Sequence, residues 1–248
     1  EPMDRALAAS GLLVVAVGIV VVTLPRPPAF LTWKETGVRD EHDALAVNLV
    51  QHGRYSAHLE DPSITTVARG PLFAVYLAGI YRVFGILNLR AVRIGDQVVH
   101  ALSAALLVAA LQAFVPAAAA VASGLLYAYW PTTFYYIAKG GSETIQILML
   151  TASLFCFVML RRRPGWAPAI ALGACMAGAC LGRGNAAVLL LIFGVWAAVA
   201  VLRRALPVRI AGAVALAWAL TMTPWWIHNF RATGEFIPFH SLLWFNAY

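Results

Sequence analysis

Apolar runs recur along this chain from one end to the other, and that feature constrains the fold more than any other. A helix that crosses a bilayer needs about 20 mostly apolar residues. Seven stretches meet or approach that length: Ala6–Leu24, Ile94–Phe114, Ala117–Tyr136, Glu143–Leu160, Ala167–Leu181, Ala186–Leu202 and Ile210–Ile227. Hydrophobic residues make up 61% of the chain and charged residues 12%, with a mean hydropathy of +0.77. A soluble domain is roughly half apolar and a quarter charged. The composition therefore excludes an ordinary soluble domain, a disordered chain, a coiled coil and a disulfide scaffold. The expected fold is all-α: a polytopic transmembrane bundle of about seven spans, in one domain covering 1–248. The shorter runs are expected to be enclosed by neighbours or to tilt little.

The net charge of +7 does not form the solvated basic stripe of a nucleic-acid-binding protein. Instead the basic residues cluster between apolar runs, where they set orientation. Arg161, Arg162 and Arg163 follow the fourth run; Arg203, Arg204 and Arg209 lie between the sixth and seventh. With both clusters cytoplasmic, the N-terminus is cytoplasmic too. The segment 25–93, residues 137–142, residues 182–185 and the stretch after His228 then face outside. Pro71–Leu87 is apolar but contains Arg82. It reads as an interfacial helix with Tyr76, Tyr81 and Arg82 at headgroup level; were it to cross, the N-terminus would move outside. Met3 reads as the native start, and Ala6–Leu24 as a retained anchor, since no small-residue cleavage site precedes the prolines. Cys156, Cys175 and Cys180 all lie in apolar runs and are expected as buried thiols without a metal role.

Polar residues in the outer segments are the places to look for chemistry. From Asp40 to Gln51 the pattern is helical, with Gly53 as its stop. Asp40, Glu41 and Asp43 thus share a first turn. There the helix dipole favours acids, and there a carboxylate could also serve as a general base. Arg69-Gly-Pro opens the next helix. It suits a phosphate at a helix N-terminus, or equally an arginine snorkelling to lipid headgroups. Glu143 opens the fourth run with Lys139 as its expected partner, and Arg183 interrupts two apolar runs on the same side. Trp225 and Trp226 look like an aromatic belt, followed by His228, Asn229 and Arg231. Acids and cations converge beside lipid, which suits a substrate with an anionic headgroup and a membrane tail.

These stretches, in this order, resemble the GT-C superfamily of polytopic glycosyltransferases. The resemblance is to the branch of bacterial protein O-mannosyltransferases and lipid A aminoarabinose transferases. It rests on Asp40-Glu41 with the run from Ala46 to Gly53, Arg69-Gly-Pro-Leu, Phe84-Gly85 with Arg93 and Gln97, Ser142-Glu143, and Pro224 to Gly234. It implies transfer of a sugar from a polyprenyl-phosphate donor to a lipid, glycan or protein acceptor hydroxyl. The transfer would proceed with inversion on the outer face of a bacterial inner membrane.

By position, Asp40 would be the catalytic base, with Glu41 and Asp43 as fallback candidates. Arg69, with Arg183 and Arg231, would hold the donor phosphate. Lys139, Glu143, His228 and Asn229 would complete the substrate cavity. Three positions depart from the family pattern: Ala44 replaces an aromatic residue, Ala68 a metal-binding Glu, and His228 an Arg. The resemblance leaves a divalent metal open, and no ligands for one are assigned. Relatives run on with further spans, so the expectation is a fragment or a minimal catalytic half. A non-catalytic polyprenyl-phosphate-binding or assembly protein is the alternative. A transporter, with Asp96 and His100 as its charged span residues and Asp96 paired to Arg93, is a third reading.

Overall fold

The computed structural model describes residues 41–133 and 141–239, and every regular element among them is a helix. The span expected at Ala6–Leu24, the expected base Asp40 and Lys139 lie outside the described residues. The elements are α1 (Glu41–His52), α2 (Pro71–Phe84), α3 (Leu89–Leu111), α4 (Ala117–Ala128), α5 (Glu143–Arg162), α6 (Trp166–Gly182), a 3-10 turn at Gly184–Ala187, α7 (Val188–Leu202) and α8 (Val208–Thr233). Among the described residues, four helical segments are long and apolar enough to cross a membrane: Leu89–Leu111, Glu143–Arg162, Gly184–Leu202 and Val208–Thr233. The chain divides into two compact units.

The first unit holds α3, α4 and α5. Small residues Ala101, Ala104 and Ala128 form a core between α3 and α4, with Tyr127 packed against it. His100 is fully buried and pins α3 to the end of α4. Its Nε2 donates to the Ala128 carbonyl at 3.0 Å, and its Nδ1 lies 3.1 Å from the Tyr127 hydroxyl. The polar pair Asp96 and His100 is thus enclosed, one turn apart on α3. The run expected to continue to Tyr136 leaves the helix after Ala128. Trp130 precedes Pro131, and the proline ring disfavours helical backbone at the residue before it. On α5, Ser153 and Thr151 bond the carbonyls of Met149 and Ile147, so their hydroxyls are satisfied within an apolar helix.

The second unit holds α1, α2, α6, the 3-10 turn, α7 and α8. α1 occupies nearly the range expected, and it stops at Gly53, whose φ of 64° is favourable for glycine. Pro71 begins α2, where its missing N–H costs nothing. At 14 residues α2 rises about 21 Å, short of a hydrocarbon core of about 30 Å. It buries a stripe of Phe73, Leu77 and Tyr81 and leaves Val75, Val83 and Phe84 exposed. Tyr81 is 1% exposed and faces the interior of the unit.

α6 and α8 pack face to face. A methyl group on Gly173 would overlap the Val214 carbonyl oxygen and sit 2.8 Å from Ala217 Cβ, so glycine sets the approach of the two helices. α6 has 17 residues, which makes it shorter than a comfortable span. α7 buries Ala197 and Ala200 but exposes Leu191, Ile192, Val195 and Leu202, as a helix facing lipid does. α8 runs past the expected end at Ile227 to Thr233 and is capped by Gly234 at φ 75°. It persists because its polar residues bond the returning chain. Trp226 Nε1 and Asn229 Nδ2 donate to the carbonyls of Pro238 and Ile237 at 2.9 and 2.7 Å, and Trp225 Nε1 donates to that of Phe239.

Candidate functional site

The candidate residues of the second unit gather around the loop that joins α1 to α2. Glu41 opens α1, and its Oε2 accepts from Arg69 Nε at 2.7 Å. Both side chains are about half exposed, so the pair is accessible to a ligand. Asp43 lies two residues on, which turns it to the opposite side of the helix. It is fully buried, and its Oδ1 accepts from the Tyr81 hydroxyl at 2.6 Å. Of the three candidate acids, Glu41 faces Arg69, Asp43 ties α1 to α2, and Asp40 lies outside the described residues.

The Arg69 loop has little freedom. A methyl group on Gly70 would overlap the Leu181 carbonyl oxygen and lie 3.1 Å from that of Gly182. Only a residue without Cβ fits there. Arg69 precedes this backbone contact and Arg183 follows it, so two exposed arginines flank one junction between the α2 start and the α6 end. The 3-10 turn after Arg183 begins a new helical direction, with Ala186 N–H donating to the Arg183 carbonyl at 3.0 Å.

Beside Glu41 a cleft of about 550 Å³ opens, lined by Ala44, His58, Glu60 and Asp61 among others. Asp61 accepts from the hydroxyl and the backbone N–H of Ser63 at 2.5 and 3.0 Å. Those two bonds hold its carboxyl below the usual carboxylate range. The cleft wall is fixed by Asn48, whose amide donates to the carbonyls of Ser56 and His58 at 2.8 and 3.0 Å. Ala44, where the family pattern has an aromatic residue, lines this cleft and leaves it open.

The residues expected after the seventh run prove to be helical. His228, Asn229 and Arg231 lie on the last turns of α8. Asn229 is fully buried, and its amide donates to the carbonyls of Ile237 and Phe239. It shapes the end of α8 and offers no exposed group to a substrate. Arg231 is exposed. His228 Nε2 lies 3.0 Å from the Thr66 carbonyl, which can only accept, so Nε2 carries a proton. Trp225, expected in an aromatic belt, is 5% exposed and stacks on His228 at 5.0 Å. Glu143 begins α5 in the other unit, half-buried. Among the described residues no group of three or more His, Cys, Asp or Glu is placed to hold a metal ion.

Two residues of this neighbourhood carry no sequence signal for function: Tyr55 and Thr66. Tyr55 is a lone aromatic in a polar loop, and its importance shows only through what it touches.

No match to the chain was found among curated proteins or among solved structures. A family match does cover residues 68–228, more than half of the chain. It begins at Ala68, next to Arg69, and ends at His228, so it takes in the Arg69 junction, Arg183 and the α6–α8 pair. By that match the chain belongs to the dolichyl-phosphate-mannose-protein mannosyltransferase family.

Proposed function

We propose that this chain is a membrane glycosyltransferase that moves a sugar from a polyprenyl-phosphate donor to an acceptor hydroxyl. One observation carries the reading. Within the family-matched region, two exposed arginines flank a backbone contact that admits only glycine, and one of them already holds a carboxylate. A guanidinium that binds a carboxylate is equally shaped for a phosphate oxygen. Arg69 and Arg183 would hold the donor phosphate, with Arg231 nearby in sequence to the same helix end as His228. They would stabilise the charge that grows on the leaving phosphate.

Asp40 would be the general base. The acceptor oxygen attacks the anomeric carbon while the bond from that carbon to the phosphate oxygen breaks. The hydroxyl proton passes to Asp40, and the sugar inverts. Asp40 directly precedes Glu41 in the sequence, and Glu41 is held against Arg69; that adjacency supports the assignment. The cleft next to Glu41 would receive the acceptor. The site would open on the outer face of a bacterial inner membrane.

The test uses the full chain in lipid nanodiscs with radiolabelled polyprenyl-phosphate mannose and a peptide or glycan hydroxyl acceptor. Asp40→Asn should cut sugar transfer by about 10²- to 10⁴-fold, the range of a general base. Arg69→Ala should weaken donor use while the protein stays folded. Transfer unchanged in both variants would overturn the assignment. Binding of the donor with no transfer by the native chain would favour the non-catalytic reading of the same scaffold.

A further inference from the structure

Tyr55 lies three residues beyond α1 and is 7% exposed. Its hydroxyl is 3.1 Å from the Arg69 carbonyl and 3.2 Å from the Gly70 carbonyl, so one O–H is shared between the two. Its backbone carbonyl accepts from Thr66 N–H at 3.1 Å. Its ring meets those of Trp225 and His228 edge-on, each at 5.4 Å between centroids. His228 in turn donates from Nε2 to the Thr66 carbonyl at 3.0 Å and stacks on Trp225. Ala68 N–H is turned inward onto the Thr66 hydroxyl at 3.1 Å. The segment from Thr66 to Gly70 is therefore gripped at its start by His228, at its end by Tyr55, and beyond that by the α6 terminus at Gly70. The Arg69 side chain is exposed and lies on Glu41. Burial holds the Tyr55 hydroxyl above its ordinary range, against a smaller opposing effect of the Arg69 charge, so it remains a donor at neutral pH.

We propose that Tyr55 and His228 are positioning residues: through the carbonyls of Arg69, Gly70 and Thr66 they fix the backbone from which Arg69 reaches the donor phosphate. This rests on the reading of Arg69 as a phosphate-binding residue. A guanidinium on a loose loop would lose conformational freedom on binding, whereas one on a fixed backbone orders only its own side chain. His228 Nε2 is spent on the Thr66 carbonyl, which makes its contribution indirect.

The experiment measures binding of undecaprenyl phosphate, without sugar, to the purified full chain in nanodiscs. Tyr55→Phe removes one hydroxyl and should weaken binding about 3- to 10-fold, the effect of one lost hydrogen bond. Gln places its amide nitrogen where Nε2 stands, and Asn places it near Nδ1. His228→Gln should therefore bind within about 2-fold of wild type, while His228→Asn should weaken binding as Tyr55→Phe does. Tyr55→Phe added to Arg69→Ala should cost nothing more than Arg69→Ala alone, because the tyrosine acts through that arginine. A structural role without positioning would instead multiply the two losses, and that result overturns the inference. So does wild-type binding by Tyr55→Phe. Should His228→Asn fail to fold, the Tyr55–Arg69 cycle decides alone. Wild-type binding by Arg69→Ala has a separate meaning: it removes the phosphate assignment itself, and with it the basis of the positioning role.

Discussion

Glu41 and Asp43 stand two residues apart on one helix and have different roles. The helix turns about 100° per residue, so adjacent acids of a first turn cannot all face one substrate. Asp43 is buried on Tyr81, and losing that acceptor should cost about 1–3 kcal/mol of stability. Asp43→Ala should therefore lower the thermal unfolding midpoint of the detergent-purified chain. Tyr81→Phe should lower it too, and the double variant should lose less than both effects together. Additive losses would show that the bond is not shared. Glu41 is different, because its pair with Arg69 is half exposed, and such pairs contribute about 0–1 kcal/mol. Glu41→Gln should leave the unfolding midpoint nearly unchanged. It should also tighten undecaprenyl phosphate binding, since the phosphate no longer competes with a carboxylate for Arg69. Weaker binding would place Glu41 on the phosphate or its counter-cation instead. The sequence showed the acids and the arginine as candidates. It did not show which acid faces inward, because alternation around a helix becomes informative only once its buried side is known.

The elements were more legible than the contacts between them. Gly53 and Pro71 mark the end of α1 and the start of α2 through local backbone rules that need no partner. Where tertiary contacts decide, the sequence is silent: α8 continues to Thr233 because Trp225, Trp226 and Asn229 bond the chain at 237–239. Likewise, the chain has 19 glycines, and nothing in their spacing singles out Gly70 and Gly173, against which other backbone is pressed. These two positions are predicted to respond differently. Gly173→Val forces α6 and α8 apart and should cost about 1–3 kcal/mol, read as a lower unfolding midpoint. Gly70→Ala displaces the loop that carries Arg69 and should reduce undecaprenyl phosphate binding more than it reduces stability. The comparison of midpoint and affinity in the two variants checks this, and equal ratios would remove the functional meaning of the Gly70 contact.

At the scale of the whole molecule, the apolar runs and the placement of charge belong to one physical problem. α7 exposes Leu191, Ile192, Val195 and Leu202 to its surroundings, which only a lipid environment makes inexpensive. The helix ends at Arg203 and Arg204, and α5 ends at Arg161 and Arg162, so cations without neighbouring acids close two long apolar helices. The positive-inside rule places such clusters in the cytoplasm. The α1–α2 loop has a different balance, with Glu41, Glu60 and Asp61 beside Arg69 and His58. This mixture is what a site for an anionic lipid headgroup and a hydroxyl acceptor needs, and it is what the opposite face would carry. Sidedness therefore tests the topology and the site together. In a variant with Cys156, Cys175 and Cys180 replaced by alanine, single cysteines at Glu60 and at Arg204 should react differently with a membrane-impermeant maleimide. In intact spheroplasts Glu60→Cys should be labelled and Arg204→Cys protected, with both labelled after lysis. The reverse pattern would put the Arg69 junction on the cytoplasmic face and remove the outer-face assignment, while labelling of both in intact cells would break the proposed orientation of α7 and α8.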